Sequence, residues 1–251
     1  ALGHVAKERF RQRPELRLSE VAERLGRLAL GVCAAAGDRL GVDEGLLLEA
    51  LCLHELLNRG VGGPAAGLLE VVGDEETATG AAVVVLMPDG ENSILSILGA
   101  NDRLLPEHVE AAAPAIERAD QLLVQLAVPQ ETVDRAIQIA VDRGVPVQLD
   151  PTPVGRSLPK LWRRAYRAVP NETEAESMVK VAVHDVESAV KAVKKMRQRG
   201  VKTPVVKLGA QGCVLLDDSG VRLVHGYKVD VVDTTGAGDA FAAAIAVRTA
   251  E

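Results

Sequence analysis

With 251 residues, 47% hydrophobic and only 2% aromatic, the chain can bury one large α/β core built from Ala, Val, Leu and Ile. A net charge of −6, with no long basic run, excludes nucleic acid as an expected partner. No stretch approaches the ~18 uninterrupted apolar residues of a membrane span, and the N-terminus lacks a signal-peptide pattern, so a cytoplasmic protein is expected. Cys33, Cys52 and Cys213 are odd in number and far apart, which argues against a disulfide framework or a zinc site.

Residues 1–60 are helical in pattern, with Leu16, Leu18, Val21, Leu25, Leu28 and Leu30 spaced for one buried face. The segment 71–101 differs. Ala81–Met87, a Pro88-Asp89-Gly90 turn and Ser93–Ile97 predict a β-hairpin. Its apolar Val83, Val85, Ile94 and Ile97 would seek cover, and pairing with a second copy of the chain is one way to find it. From 104 onward helical and strand patterns alternate. Pro106–Ala119 reads as one helix with proline in its first turn. Gln121–Leu126 is strand-like, 130–143 is an amphipathic helix closed by Gly144, and Val145–Asp150 is the next strand. Arg167-Ala168-Val169 precedes Pro170-Asn171-Glu172-Thr173-Glu174, and 186–199 is a helix whose Lys191, Lys194, Lys195, Arg197 and Arg199 form a solvated face. Thr203–Leu208 is a strand, and 212–216 with 221–224 predicts an antiparallel hairpin. Such alternation implies βαβ units and a mostly parallel sheet between helices. Ligands in such folds lie beyond the carboxyl ends of the strands. Asp150, Asn171, Gly209 and Asp239 each follow a strand and would gather at one rim.

The run Asp233-Thr234-Thr235-Gly236-Ala237-Gly238-Asp239-Ala240-Phe241 carries the most chemistry. Two glycines allow a tight turn whose N–H groups point at one spot, at a helix N-terminus that favours an anion. An aspartate beside that cradle repels the anion. Its place makes sense if Asp239 takes a proton from an attacking hydroxyl while the N–H groups hold a phosphoryl group. As local structure alone, the same residues are a turn with Asp239 in a dipole-favourable position. Asn171 with Glu174 is likewise a capping box on local chemistry.

The nine-residue run resembles the C-terminal signature of the ribokinase (PfkB-type) sugar kinase family. That resemblance implies a fold with a central sheet sandwiched by helices and a small β-sheet lid, the whole chain 1–251 forming one domain. It makes Asp239 the catalytic base, at the sugar hydroxyl, and Gly236, Ala237 and Gly238 the anion hole. Asn171 and Glu174 resemble the family's second signature, which organises Mg²⁺, water and the phosphates of ATP; Glu174 would hold Mg²⁺ through water. Lys207, Gly209 and Gly212 fall in a loop similar to the one that contacts ATP, with Lys207 where the family commonly has Thr. Asp233 and Thr235 match positions near a monovalent-cation (K⁺) site. Thr79-Gly80, Asp89–Ile94 and Gly99-Ala100-Asn101 resemble the ribokinase branch more than other branches. The implied activity is ATP-dependent phosphorylation of a pentose such as ribose, with a nucleoside or other sugar-like alcohol as the alternative acceptor.

The chain departs from the family on the sugar side. No Gly-Gly-Lys-Gly-x-Asn motif and no N-terminal strand bearing Asp occur in residues 1–60, and Gly62-Gly63-Pro64 is a poor substitute because proline removes a donor. Ala127 stands where the family often has a Glu that binds the sugar. The resemblance covers roughly 70–250, and family members continue past the anion hole through helices that cover adenine. An incomplete chain, a kinase with a rebuilt pocket, and a binding protein without catalysis all fit these departures.

Overall fold

The computed structural model describes residues 74–86, 92–229, 234 and 236–250. The expectations for 1–60, for the turn at 88–90, and for Cys33, Cys52, Asp233 and Thr235 lie outside these residues.

Two sheets form. Strands β1 (Thr79–Leu86) and β2 (Asn92–Gly99) pair antiparallel from Thr79↔Gly99 to Leu86↔Asn92, which is the expected lid hairpin. Its base is tight: a Cβ on Gly80 would sit 2.7 Å from Leu98 O, and Gly99, at φ +52°, would meet Ala78 O at 2.4 Å. Asp74 ties the start of the lid down, accepting from Arg103 at 2.5 Å and from the Thr77 amide at 2.7 Å.

The chain then enters helices α1 (Pro106–Ala111) and α2 (Ala113–Arg118). One helix was expected here; it is split at Ala112. Pro114 has no N–H to offer the preceding turn, so Ala115 and Ile116 bond back to Ala112 O and the axis restarts. Strand β3 (Leu122–Val124), α3 (Gln130–Asp142) and β4 (Val147–Leu149) make the first βαβ unit. Helix α3 buries Val133, Ala136, Ile137, Ile139 and Ala140 in the main core. Each large aliphatic among them contributes about 1.5–3 kcal/mol. Strand β5 (Arg167–Ala168) leads through α4 (Glu172–Val179) and α5 (Val186–Gln198) to β6 (Thr203–Lys207). The hairpin β7 (Cys213–Asp217) and β8 (Gly220–Val224) follows, and α6 (Ala237–Ala250) closes the described chain. The sheet order is β3-β4-β5-β6-β7-β8, parallel through β6 and antiparallel beyond it. This is the α/β fold with a mostly parallel sheet that the alternation predicts.

Alternation along the strands sorts side chains between the two faces. Val147, Leu149, Ala168, Val206 and Val214 join the large core with α3, α4 and α5. Val169, Val205 and Cys213 point the other way and pack with Ala242, Phe241 and Ile245 of α6. Cys213 is a free thiol buried in this smaller core, and burial pushes its pKa up.

The α6 face also carries two polar strand residues. Gln148, 1% exposed, donates to Ala242 O at 2.7 Å and accepts from Arg167 Nη1 at 3.2 Å. Arg167 reaches Ile245 O at 3.4 Å as well. Polar groups survive burial when they are hydrogen-bonded, and here the bonds run to the backbone of one helix. Gln148 and Arg167 therefore fix α6 against the sheet.

Candidate active site

Helix α6 begins where the strands end. Gly236 sits at φ +72°, with open space where a Cβ would be, and its carbonyl accepts from the Ala240 amide at 2.9 Å. The Ala237 amide turns back onto Thr234 O at 3.1 Å, closing the turn that starts the helix. The first-turn amides and the helix dipole make this end attractive to an anion. Asp239 lies in that first turn and is exposed. Its Oδ1 accepts from Gln125 Nε2 at 3.0 Å, so a residue just past β3 holds the carboxylate in place.

The neighbouring strands and helix α4 bring four more residues to this rim. Asp150 follows β4, is only 5% exposed, and accepts from Lys207 Nζ at 3.3 Å. Burial drives the Asp150 carboxyl from 3.8 up to about 7; Lys207 opposes the rise, and Glu174 and Asp239 add to it. Asn171 caps α4. Its Oδ1 accepts from the Glu174 amide at 2.8 Å, while Glu174 Oε2 accepts from the Asn171 amide at 2.7 Å. The capping box is therefore complete in both directions. Burial pushes the Glu174 carboxyl up, partly offset by the Asn171 amide and by Lys207. Lys207, at the end of β6, is positioned by its amide, which donates to Pro170 O at 2.8 Å.

The glycines of the following loop divide by role. Gly209, at φ +51°, has nothing within 4 Å of its would-be Cβ, so its surface is open for a close approach. Gly212 is occupied by packing: at φ +99° a Cβ would lie 2.0 Å from Val224 O and 2.5 Å from Gly226 N. The structure thus gathers Asp150, Asn171, Glu174, Lys207, Gly209 and Gly236–Asp239 at one end of the sheet. Asp233 and Thr235 are outside the described residues. Sequence reasoning passed over the Gln125 contact to Asp239, and the Gln148–Arg167 pair. A Gln and an Arg inside otherwise apolar strands were the available signal for the pair.

Among the described residues, no group of three His, Cys, Asp or Glu side chains comes close enough to hold a metal directly. Nor is any described helix long and apolar enough to cross a membrane.

Residues 69–251 match the model of the pfkB family carbohydrate kinases. The chain belongs to the pfkB carbohydrate kinase family. It is 38% identical over 163 residues to a ribokinase of Haemophilus influenzae, covering 65% of this chain and 53% of that protein. It is 33% identical over 166 residues to a deoxyribokinase of Salmonella typhi, covering 66% of this chain and 54% of the relative. The chain spans about half the length of these curated relatives. Among solved structures, the ribokinase of Arabidopsis thaliana complexed with ribose and ATP superposes with a TM-score of 0.69 at 27% identity, over 92% of this chain and 73% of the other. Within the family, the mostly parallel sheet and the small antiparallel lid are both in place.

Proposed function

We propose that this chain phosphorylates a hydroxyl of a pentose, ribose or deoxyribose, at the expense of ATP. One observation carries the reading: an exposed carboxylate, Asp239, is held by Gln125 at the glycine-turn N-terminus of α6, where an anion would bind. In this reading the Asp239 carboxylate accepts the proton of the sugar hydroxyl as its oxygen bonds to the γ-phosphorus. The bond from that phosphorus to the β,γ-bridging oxygen breaks, and ADP leaves. The amides of Gly236 and Gly238 would face the charge that develops on the transferred group, while the Ala237 amide, expected to join them, is taken up by Thr234 O. The relatives named for ribose and deoxyribose support a pentose as acceptor.

Mg²⁺ fits the donor set. The Glu174 carboxylate is a hard oxygen ligand of the kind that holds a hydrated ion through water rather than in an all-protein cage. Bound with ATP, the ion would neutralise phosphate charge. Glu174 and Asn171 would orient its water shell and the phosphates, and the open Gly209 would admit the nucleotide.

A second reading, binding of nucleotide or sugar without turnover, is favoured by Ala127, whose methyl cannot hydrogen-bond a sugar hydroxyl. ADP release in a coupled assay with Mg-ATP and a panel of pentoses, 2-deoxypentoses and nucleosides separates the two. Pentose-dependent ADP is expected. Nucleotide binding with no acceptor-dependent ADP would replace the kinase with the binding protein.

The lid adds a partner to the proposal. Val83, Leu95 and Ile97 share one face of the hairpin and are 49%, 67% and 66% exposed. We assign that face to a second copy of the chain. Light scattering should give a dimer mass, and a monomer at working concentrations would refute it.

A further inference from the structure

The residue without a settled part in this chemistry is Lys207. On β6 it has the same parity as Val205, so it points to the α6 side of the sheet, whereas Val206 points to the opposite core. Its ammonium ends 3.3 Å from Asp150 Oδ1 and 3.5 Å from where a Cβ on Gly238 would be. The side chain is 16% exposed. A lysine ammonium thus lies against the first turn of a fourteen-residue helix, one residue from Asp239.

That placement is electrostatically awkward. The helix N-terminus carries the positive end of the dipole, and cations are stabilised at the other end. Asp150 offsets the conflict on one side only, and it is itself a buried carboxylate. An anion lodged between the Lys207 ammonium and the α6 amides would be favourable to both at once. Because Gly238 adjoins Asp239, that anion lies next to the group that must meet the acceptor hydroxyl. On the kinase reading, this is the phosphoryl group in transfer and not the α- or β-phosphate of the nucleotide.

We propose that Lys207 is a catalytic residue that contacts the γ-phosphoryl group, and that Asp150 is its positioning residue. The proposal rests on the reading of this site as an ATP site. Lys207 fixes one face of the γ-phosphoryl group while the α6 amides fix another. Asp150 keeps the ammonium from swinging toward Glu174, whose carboxylate Lys207 also attracts.

Calorimetric titration of the full chain with Mg-ADP and with the Mg-β,γ-imido analogue of ATP tests it without requiring turnover. Lys207→Met should weaken the imido analogue at least tenfold and ADP by less than about twofold, with a cooperative thermal transition retained. Lys207→Arg should recover most of the loss. Asp150→Asn should lower the ratio of the two affinities partway, and Asp150→Glu should restore it. An equal loss for both nucleotides would reassign Lys207 to general nucleotide binding, and no loss would make the pair purely structural; either overturns the proposal. In turnover, Lys207→Met should lower kcat about a hundredfold or more with the sugar KM within twofold. A wild-type chain that binds both nucleotides but does not turn over would sink the kinase reading and leave the affinity ratio to judge Lys207. A wild type that binds neither would overturn both.

Discussion

Replacing Gln148 by Leu tests whether the polar pair under α6 holds that helix in place. Gln148 is 1% exposed and joins α6 to Arg167. Leucine keeps most of the volume, so the loss is one of hydrogen bonds. The bond to Ala242 O is between neutral groups and contributes about 0.5–1.5 kcal/mol. The bond from Arg167 is charge-assisted and contributes about 1.5–3 kcal/mol. Arg167 is 6% exposed, its Nε has no partner among the described residues, and burial already lowers its pKa. The cation would be left with a weaker set of acceptors, chiefly Ile245 O at 3.4 Å. Together these give about 3 kcal/mol of destabilisation, near a hundredfold in the folding equilibrium. Urea denaturation should show the midpoint falling by that equivalent with an unchanged slope. The double variant Gln148→Leu with Arg167→Met should recover at least 1 kcal/mol, because removing both partners leaves no stranded charge. A loss below about 1 kcal/mol in the single variant, or additive losses in the double, would refute the role given to this pair.

Further outcomes follow from the same geometry. Burial raises the Asp150 carboxyl from 3.8 to about 7, so the folded protein binds a proton there over a range in which the unfolded chain has released it. Stability should therefore fall as pH rises from about 4 to 7 and level off above, by on the order of 4 kcal/mol at most. Asp150→Asn should flatten that slope in denaturation titrations and exceed wild type in stability at pH 8; equal slopes would contradict the buried-carboxylate account. Gly209→Ala should cost the fold only about 1 kcal/mol of backbone strain yet weaken ATP binding, since its Cβ would project into open space at φ +51°. Gly212→Ala should destabilise the β7–β8 hairpin more than Gly209→Ala does, because its Cβ would meet Val224 O at 2.0 Å. Denaturation and nucleotide titration of the two variants check the contrast, and equal stability losses would remove the distinction.

Much of this molecule was legible in its sequence because period and punctuation agree. The runs 130–143 and 186–199 carry one apolar face each and end at Gly144 and Gly200, and both form helices that the sheet then covers. The strand holding the β-branched run at 83–85 and the strand holding Ile94, Leu95 and Ile97 pair as the lid. The split at Ala112 was hidden because Pro114 lies in a window that otherwise reads as continuous helix. For the candidate site, local motifs singled out Asp239, Asn171 and Glu174. The contacts of Gln125, Asp150 and Lys207 depend on which strand ends adjoin, at separations of 114 residues for Gln125 with Asp239 and 57 for Lys207 with Asp150, and no local pattern encodes that. Gln148 and Arg167 belong to the same class: a polar residue in a buried strand shows that a partner is needed, not where it lies.

In the proposed kinase, Asp239 is the base that takes the acceptor's proton at the anion end of α6. The most direct measurement compares wild type and Asp239→Asn for pentose-dependent ADP release alongside Mg-ATP affinity. Asn keeps the shape and can still pair with Gln125 but cannot accept the proton, so turnover should fall by a factor of about 10² to 10⁴ while ATP affinity stays within a few-fold. An Asp239→Asn variant that releases ADP at the wild-type rate would contradict the assignment.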